Sequence, residues 1–303
     1  MSAFVQANTN GRLHDAAEAS LSPLNRGFLY GDAIYEVWRS YGGVLFGWAE
    51  HWERMTCSAL AIGLNIPIGP EALLPEIKRT VAEFRKKLTY TGDVYVRLQV
   101  YRGEGEIGLS PEYADQAGYV ILVKPVPELS ERHLTEGLHL VTARRLHRND
   151  PSALDPAWKT GNYLNNMLCL AEARERGADD VVILNRTGEL TEAATANLAF
   201  VRGDEWITPP LSAGILAGVT RRLILAEVAR RAGLRPVERS VLPDDLATMD
   251  EAMLLSSTKD VQPVGQIDEH RFRVGAESRS RVLKAAFEAY AAEHLSGRED
   301  LRV

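Results

Sequence analysis

Lys159 is the lysine whose neighbours in the sequence point most clearly to chemistry. It lies in the stretch SALDPAWKTGNYLNNMLCLAEARERG (152–177), between Trp158 and a Thr-Gly-Asn-Tyr run that leads into a helical pattern. Seven of the 35 basic residues are lysines, so each lysine is worth weighing. A lysine at the start of a helix is usually a solvated surface charge, whereas a deprotonated lysine is a nucleophile or a base. Other residues must decide between these two roles.

Three other motifs could bind an anion. Arg54 follows His51 in an H-x-x-R motif on a predicted helix, where its guanidinium could hold a phosphate through two hydrogen bonds. The motif AGVTRR places residues 218–220 at the start of a helix, whose backbone N–H groups and threonine hydroxyl favour an anion. The motif SSTKD (256–260) adds hydroxyl groups at a strand end. A surface arginine, an ordinary threonine N-cap and a simple turn are the alternative explanations.

Glu192 supplies a carboxylate in the motif GELTEAATANLAF, between two predicted strand segments and beside a strongly apolar run. Pyridoxal 5'-phosphate requires a lysine for a Schiff base, a site for its phosphate and a carboxylate opposite its pyridinium nitrogen. Lys159, the three anion-binding motifs and Glu192 together meet these requirements. The sequence therefore predicts pyridoxal 5'-phosphate as the cofactor and predicts no metal site.

A glycine motif suggests a different cofactor but lacks the required context. Gly103, Gly105 and Gly108 have the G-x-G-x-x-G spacing of dinucleotide-binding proteins. That motif needs a helix N-terminus directly after the glycines to hold a pyrophosphate. Ser110-Pro111 follows here, and no helical pattern begins until well past residue 118. We therefore interpret this stretch as a loop after a strand.

The elements that must position these residues form a mixed pattern of strands and helices. The predicted strands are 33–47 (a hairpin with a Gly-Gly turn), 93–103, 118–125, 138–145, 251–258 and the segments DVVILN and NLAFVRGDEWITPP. The predicted helices are 49–64, 71–88, 162–176 and 219–233. In the helix over 162–176 we expect four apolar residues to face inward: Leu164, Met167, Leu168 and Ala171.

The length and the linker pattern predict two domains. A chain of 303 residues is long enough for two hydrophobic cores. The polar stretch that begins at Pro125 is the best candidate for a linker. We therefore predict an α+β protein with an N-terminal domain over 1–124, a linker over 125–133 and a C-terminal domain over 134–303.

Composition excludes several classes of function. The formal net charge of −6 and the scattered Arg-Arg pairs argue against a nucleic-acid surface. No run approaches the ~18 apolar residues of a membrane span, and the N-terminus does not resemble a signal peptide. Cys57 and Cys169 lack metal-ligand spacing, so we expect reduced, buried thiols and a cytoplasmic protein with neither nucleic acid nor membrane as partner.

An ordered set of motifs covers nearly the whole chain and resembles a known family. The motifs are NRGFLYGDAIYEVWR, HWERMTCSA, YVRLQVYRG, KTGNYLNNMLCLAEA, GELTEAATANLAF, TPPLSAGILAGVTR and EAMLLSSTKDVQPV. They resemble the fold-type IV, class IV aminotransferases, a group with branched-chain aminotransferases, D-amino acid aminotransferases and aminodeoxychorismate lyase. The resemblance implies a two-domain enzyme with a smaller N-terminal and a larger C-terminal domain. It also implies a homodimer or larger homo-oligomer, with each active site between the domains and completed by a loop of the partner.

The resemblance also implies a role for each matching residue. Lys159 would form the Schiff base and move the proton, and Glu192 would pair with the pyridine nitrogen. The residues expected to hold the phosphate are Arg54, Val219, Thr220 and Thr258. Leu216 would pack on the cofactor ring and Tyr163 would contact its hydroxyl. A binding protein that kept the fold without the chemistry would lack Lys159, Glu192 or Arg54, and all three are present.

The substrate prediction rests on the first domain. The positions that match the substrate pocket of branched-chain enzymes are Tyr30, Tyr35, Arg39, Tyr95 and Arg97. There a tyrosine like Tyr95, supported by an arginine like Arg97, orients the substrate α-carboxylate, while Tyr30, Tyr35 and Trp38 imply an apolar pocket. The arginine and histidine that bind the carboxylate in D-amino acid enzymes have no counterpart in EGEIGLSP.

Two departures favour other subgroups of the family. The spacing from Lys159 to Tyr163 is one residue shorter than in branched-chain enzymes and resembles the D-amino acid and lyase subgroups. Lys259 stands in the turn after Thr258, where small residues are usual, and could contribute charge to substrate binding. We expect a branched-chain L-amino acid as amino donor and 2-oxoglutarate as acceptor, in a ping-pong reaction. The alternatives are a D-amino acid or (R)-selective amine transaminase, or aminodeoxychorismate lyase.

Overall fold

The computed structural model describes residues 4–114, 116–128 and 130–303. These residues form two compact units, each with its own core. The first unit contains the described residues up to Pro127 together with Trp158–Asn162 and His294–Val303. The second contains the described residues of Glu128–Ala157 and Tyr163–Glu293. Helices and sheets occur in both, which confirms the predicted α+β class.

The first unit is built on a six-stranded antiparallel sheet. Its strands are β1 (Gln6–Thr9), β2 (Arg12–Asp15), β3 (Ala33–Tyr41), β4 (Val44–Leu45), β5 (Val94–Tyr101) and β6 (Gly118–Pro125). They lie in the order β2-β1-β6-β5-β3-β4. The predicted hairpin is confirmed as β3 and β4, joined at Gly42 and Gly43, whose φ angles of 56° and 82° suit glycine.

Two helices pack on this sheet, α2 (Trp48–Ala61) and α3 (Pro70–Leu88). The unit also contains α1 (Arg26–Tyr30) and short 3₁₀ helices at Pro111–Tyr113 and Glu299–Leu301. Helix α3 buries Leu73, Ile77, Val81 and Phe84 at helical spacing. Burial of each such side chain contributes roughly 1.5–3 kcal/mol. The described residues of the glycine-rich loop after β5 form the 3₁₀ turn at 111–113 and no longer helix, as the sequence predicted.

The segment Trp158–Asn162 belongs to the first unit, although the predicted division placed it in the C-terminal domain. Lys159 accepts a hydrogen bond from Tyr35 N through its backbone oxygen (3.0 Å), and Gly161 N donates to Ala33 O (2.8 Å). Lys159 N also donates to Ser58 Oγ on α2 (3.0 Å). The segment therefore adds to the edge of β3, and backbone hydrogen bonds fix the position of Lys159. His294–Val303 also belongs to this unit, because Leu295, Leu301 and Val303 pack on its core.

The second unit contains the other nine strands. They are β7 (Leu138–Thr142), β8 (Asp180–Leu184), β9 (Leu190–Ala193), β10 (Asn197–Arg202), β11 (Glu205–Thr208), β12 (Arg235–Glu238), β13 (Glu251–Ser256), β14 (Asp260–Ile267) and β15 (His270–Arg271). The order is β12-β11-β10-β13-β14-β7-β8-β9, with β15 on β14. A further pairing joins β9 to β10, so six of the strands close into a ring. The closing pair is Glu192 with Asn197.

The remaining helices are α4 (Glu131–Thr135), α5 (Leu164–Glu175), α6 (Val219–Leu223), α7 (Ala229–Arg231) and α8 (Arg279–Leu295), with 3₁₀ turns at Leu211–Ala213 and Pro243–Thr248. The helices predicted over 162–176 and 219–233 are present, whereas α4 and α8 were not predicted. A π-helical turn at Ile224–Val228 joins α6 to α7, so one helical run extends from Val219 to Arg231.

The predicted inward face of α5 is wrong. The side chains of Leu164, Met167 and Leu168 are 67%, 63% and 50% exposed in the chain, and Ala171 is exposed as well. The buried residues are Asn166, Cys169, Glu172 and Ala173. Polar side chains face the rest of the unit because they find hydrogen-bond partners there. Glu172, for example, accepts hydrogen bonds from the backbone N–H groups of residues 144 and 145. Hydrogen-bonded polar side chains therefore occupy the buried face of α5, where hydrophobic periodicity predicted leucines.

Two expectations from composition can be compared with the fold. Cys169 is buried, as expected, but Cys57 on α2 is exposed, because its position on the helix points away from the sheet. Across the described residues, we find no helix with the length and apolar character that crossing a membrane would require.

Candidate functional site

The predicted substrate residues of β3 and β5 lie on one face of the sheet. Successive residues of a strand point to opposite faces, and the register places Tyr35 opposite Gln99, and Arg39 opposite Tyr95. Tyr35, Arg39, Tyr95 and Arg97 therefore share this face. Trp38 does not, since it is fully buried on the core side with its ring 5.2 Å from that of Trp48. The expectation that Trp38 lines a substrate pocket is wrong.

The ring of Tyr35 connects Lys159 with Arg97. The Lys159 Nζ atom lies 4.5 Å from the centre of this ring, and the guanidinium carbon of Arg97 lies 3.7 Å from the same centre. Such distances are typical of cation–π contacts. Arg97 also donates to the amide oxygen of Gln99 at 2.7 Å. Tyr35 and Gln99, its partners among the described residues, are both uncharged. The positive charge of Arg97 is therefore available to a ligand.

Tyr30 lies with the glycine-rich loop and not with that sheet face. Its hydroxyl accepts a hydrogen bond from Gly108 N at 3.1 Å. Arg26 lies over its ring at 5.1 Å and donates to the backbone oxygens of Gly108 and Leu109. Arg26 is buried, so it ties α1 to the loop. The role of Tyr30 toward a substrate stays a prediction.

The opposite face of β3 carries a buried cluster of Glu36, Arg54 and His51. Arg54 donates from Nε to Glu36 Oε1 at 2.7 Å and from Nη2 to Glu36 Oε2 at 2.8 Å. His51 Nδ1 lies 2.7 Å from Glu36 Oε2, and the backbone N–H of Val37 also reaches this oxygen at 3.3 Å. Glu36 and His51 are 0% and 1% exposed. We name these three residues the Glu36 cluster.

Burial and charge set the protonation of the Glu36 cluster. Burial alone would raise the pKa of the Glu36 carboxyl, but Arg54 and His51, through charge and hydrogen bonds, lower that pKa well below its usual range. Burial is the largest influence on the pKa of His51 and lowers it, against the opposing effect of Glu36. A carboxylate accepts hydrogen bonds only, so neutral His51 donates its Nδ1–H to Glu36. The cluster is therefore one anion, one cation and one neutral ring.

The sequence did not identify Glu36. A signal was present, because alternation in AIYEVWRS places Glu36 between Ile34 and Trp38 on the core-facing positions of a strand. A carboxylate at such a position requires a buried cationic partner. Arg54, which the sequence did single out, is that partner.

In the second unit Glu192 lies at the point where the ring of strands closes. Its Oε1 accepts from Arg148 Nη2 at 2.6 Å. Its Oε2 accepts from Asn197 Nδ2 at 2.9 Å and from Leu216 N at 3.1 Å. The side chains of Glu192, Arg148 and Asn197 are buried. We name these three residues the Glu192 cluster, which also brings the predicted Leu216 to Glu192.

Arg148 is the second residue that the sequence did not identify. It donates from Nη1 to Asn166 Oδ1 at 3.1 Å, and Asn166 in turn donates to Ala194 O at 2.8 Å. Asn166 lies in the first turn of α5, three residues after Tyr163 at its N-cap. The contact therefore ties the start of α5, and with it Tyr163, to the Glu192 cluster. An arginine in the run RRLHRND carries no sequence pattern that marks it as buried.

Gly218, which precedes the predicted anion-binding residues Val219 and Thr220, lies against Asn197. A Cβ atom on Gly218 would lie 2.0 Å from Asn197 Oδ1, so this close approach requires glycine. Gly218 is the N-cap of α6 and supplies no side-chain hydrogen bond to the helix, whose first residues are the buried Val219 and Thr220. The first backbone N–H groups of a helix have no partner within it. They can therefore donate to a bound anion.

The turn after β13 holds the last two predicted residues. Thr258 Oγ1 lies 3.5 Å from Ser256 Oγ, and α6 packs against β13. Lys259 donates from Nζ to Asp180 Oδ2 at 3.1 Å. Asp180 is buried, so this ion pair engages Lys259 within its own unit. Among the described residues, no group of histidine, cysteine and carboxylate side chains could hold a metal ion.

Comparison with known proteins shows the family to which the chain belongs. The family model described as Amino-transferase class IV matches residues 33–267. A putative branched-chain-amino-acid aminotransferase of Methanocaldococcus jannaschii is 31% identical over 259 residues, which cover 86% of each chain. A D-alanine aminotransferase of Bacillus licheniformis is 30% identical over 273 residues, covering 88% of this chain and 90% of the relative.

A solved structure agrees in fold over nearly the whole length. It is the branched-chain aminotransferase of Thermoproteus uzoniensis, crystallised with norvaline. Its TM-score is 0.83 at 26% identity, and the match covers 97% of this chain and 98% of that one.

Proposed function

Because the chain belongs to the class IV aminotransferases, which use pyridoxal 5'-phosphate, we propose that it transfers the amino group of a branched-chain L-amino acid to 2-oxoglutarate. We propose further that the cofactor is held by Lys159, Arg54, Glu192, Leu216, Val219, Thr220 and Thr258. Tyr163 contacts the ring hydroxyl in this proposal.

The donors and acceptors of these residues fit the cofactor. A carboxylate offers about four acceptor positions, and three donors occupy Glu192, so one acceptor position remains for a pyridinium N–H. Arg54, the Thr220 hydroxyl and the first N–H groups of α6 match a phosphate dianion. When bound, the cofactor supplies an aldehyde that reacts with primary amines and a ring that withdraws electrons from the substrate Cα.

Lys159 has two tasks in this proposal. Its amine is the point of covalent attachment, and once the substrate amine has displaced it, Nζ moves the proton that leaves the substrate Cα. Hydrogen bonds fix the backbone on both sides of Lys159, at Lys159 N and O and at Gly161 N. A fixed backbone with a mobile side chain suits an amine that must attach and then act as a base.

The observation that carries the substrate proposal is the pair of cations on Tyr35. Lys159 Nζ and the Arg97 guanidinium both lie within 5 Å of this ring centre. An α-amino acid carries its amine and its carboxylate two bonds apart, so a substrate whose amine replaces that of Lys159 can place its carboxylate near Arg97. Tyr95, on the same sheet face, orients that carboxylate. Because Arg97 has no anionic partner among the described residues, it favours binding of an amino acid over an amine that lacks a carboxylate.

Apolar neighbours of Arg97 support an aliphatic side chain. Val37 and Leu122 lie directly opposite Arg97 on the two adjacent strands and therefore on the same face. The acceptor needs a second cation for its distal carboxylate. We assign it to Arg39, which lies opposite Tyr95 on the same sheet face.

A D-amino acid transaminase is the second candidate. The short spacing from Lys159 to Tyr163 favours it, and the D-alanine aminotransferase of Bacillus licheniformis is 30% identical, against 31% for the relative from Methanocaldococcus jannaschii. Both candidates use the same cofactor residues. They differ in the hand of the amino acid that the Tyr35 face accepts.

A panel of half-reactions separates the candidates. The holoenzyme is mixed separately with L-leucine, D-alanine, D-glutamate and (R)-1-phenylethylamine, and the loss of yellow colour is followed together with release of the oxo product. We expect fast conversion with L-leucine. Conversion with D-alanine and none with L-leucine would contradict the branched-chain proposal.

Lys159→Ala is the control for this panel. It should show no conversion with any donor, because both the attachment point and the base are lost. Borohydride reduction and peptide mapping of the wild-type holoenzyme should label Lys159. Labelling of Lys124 or Lys259 instead would show that the assignment of the lysine is wrong.

A further inference from the structure

Glu36 has no assigned role, although it binds a residue proposed to hold the cofactor phosphate. We propose that Glu36 is a positioning residue that holds the Arg54 guanidinium in place for the phosphate, and that His51 fixes Glu36 in turn. This inference rests on the proposed role of Arg54. It concerns the orientation of Arg54 and not the transfer of protons.

The geometry leaves little freedom to Arg54. Its Nε and Nη2 both donate to the Glu36 carboxylate, at 2.7 and 2.8 Å. Two parallel hydrogen bonds fix the plane of a guanidinium as well as its position. The edge that carries Nη1 is the one the carboxylate does not use. The plane set by Glu36 therefore decides where that edge can meet a phosphate.

His51 completes the arrangement from the other side of Glu36. Its Nδ1 lies 2.7 Å from Oε2, the oxygen that Arg54 Nη2 and Val37 N also reach. With Arg54 Nε on Oε1, Glu36 has four donors, and two of them belong to Arg54. Glu36 is fully buried, so we assign it the orientation of Arg54 as its role.

Stability alone does not explain a carboxylate at this position. Ile34 and Trp38 occupy the neighbouring core-facing positions of β3 and are fully buried. An apolar set in place of a buried ion pair is often equally or more stable. A long arginine side chain has many rotamers, and ordering it before the ligand arrives improves binding. A fixed arginine is therefore what the buried carboxylate provides.

Charge and position predict opposite effects of removing the carboxylate. With His51 neutral, Glu36 offsets the charge of Arg54, so its loss leaves a net positive charge beside the phosphate. If charge were the main role, the phosphate would bind more tightly without Glu36. If position is the main role, the phosphate binds less tightly. The two explanations can therefore be separated by experiment.

The experiment compares pyridoxal 5'-phosphate with unphosphorylated pyridoxal. The Kd of each is measured on the full-length chain after removal of the cofactor, and the ratio of the two reports the contribution of the phosphate. In Glu36→Gln, which keeps the shape but offers one acceptor, we expect the advantage of the phosphorylated form to fall about tenfold. The Kd for pyridoxal should not change. The ³¹P resonance of the bound cofactor should shift, which a general loss of stability would not cause.

Three variants serve as controls. Glu83→Gln on α3, whose carboxylate only approaches Lys87, should leave the ratio unchanged. Arg54→Gln should lower the ratio at least as much as Glu36→Gln, and in that background Glu36→Gln should add nothing. His51→Asn keeps a donor near the position of Nδ1 and should stay near wild type, whereas His51→Leu should lower the ratio. The His51 pair carries the test if Glu36→Gln does not fold.

The outcomes separate the inference from the proposed function. An unchanged or increased ratio in Glu36→Gln overturns the positioning role. An unchanged ratio in Arg54→Gln shows instead that Arg54 does not bind the phosphate. If the wild-type chain binds neither form, the proposed cofactor site itself is wrong.

Discussion

The Glu36 cluster and the Glu192 cluster are built from the same ion pair with the roles exchanged. In the first unit Glu36 binds Arg54, and the arginine is the proposed cofactor ligand. In the second unit Arg148 binds Glu192, and the carboxylate is the proposed ligand. Both pairs are largely withdrawn from solvent. A buried arginine–carboxylate pair therefore serves here to hold one member still while the other meets the cofactor.

The hydrogen bonds of the two arginines differ between the clusters. Arg54 donates two hydrogen bonds to Glu36, one to each carboxylate oxygen. Arg148 donates one hydrogen bond to Glu192 and another to Asn166. Two parallel hydrogen bonds fix the plane of the Arg54 guanidinium, whereas Arg148 and two further donors each hold the Glu192 carboxylate through a single hydrogen bond.

The largest expected effect is on stability, from removing the supporting arginine of the second cluster. Arg148→Met leaves the Glu192 carboxylate buried without its cation, which typically costs about 3–5 kcal/mol. Urea unfolding of the apoprotein measures the loss. Arg145→Met is the matched control, because Arg145 and Glu175 form an exposed pair that contributes at most about 1 kcal/mol. Equal losses in the two variants would show that Arg148 does not support Glu192.

The next effect is on the rate and tests the ligand role of Glu192. A neutral amide cannot hold a proton on the pyridine nitrogen, so Glu192→Gln should lower kcat about a hundredfold. Its ratio of pyridoxal 5'-phosphate to pyridoxal affinity should stay unchanged, in contrast to Glu36→Gln. Single-turnover kinetics measures the rate of proton removal from Cα, with the exposed Glu175→Gln as control. Unchanged turnover would remove Glu192 from the reaction and end the comparison of the two clusters.

The smallest effect is a dependence of stability on pH that arises from the Glu36 cluster. The folded-state pKa values of His51 and Glu36 are both lowered, so the unfolded chain binds more protons and acid destabilises the fold. The His51 contribution is lost as pH falls below its ordinary pKa of 6.5, and the Glu36 contribution as pH falls below 4.5.

Each contribution amounts to about 1.4 kcal/mol per unit of pKa difference. Thermal unfolding between pH 7 and pH 5 should therefore lose its slope in His51→Asn, which cannot titrate. An unchanged slope in that variant would assign the dependence to other groups.

The sequence predicted the elements better than the partners of its site residues. The hairpin of β3 and β4 and the helix α3 followed from period and turn residues, because local spacing determines them. Glu36 and Arg148 were missed since their partners lie 18 and 44 residues away. The inward face of α5 was wrong for the same reason: Glu172 is buried by acceptor contacts to residues 28 and 27 positions earlier. A local hydrophobic pattern therefore does not predict hydrogen bonds between residues that are far apart in the sequence.

The short segment Trp158–Asn162 also has a consequence for synthesis. It belongs to a unit whose strands are all encoded before Pro127, yet it completes the edge of β3 through hydrogen bonds to Ala33 and Tyr35. During translation that edge of β3 therefore stays unpaired until residues 158–162 have been synthesised. Closing such a long loop slows folding, and an exposed strand edge is a site of mispairing between chains. The segment that carries Lys159, the proposed catalytic lysine, is thus the one that covers the edge of β3. A chain that ends before this segment would lack both the lysine and the cover of that strand edge.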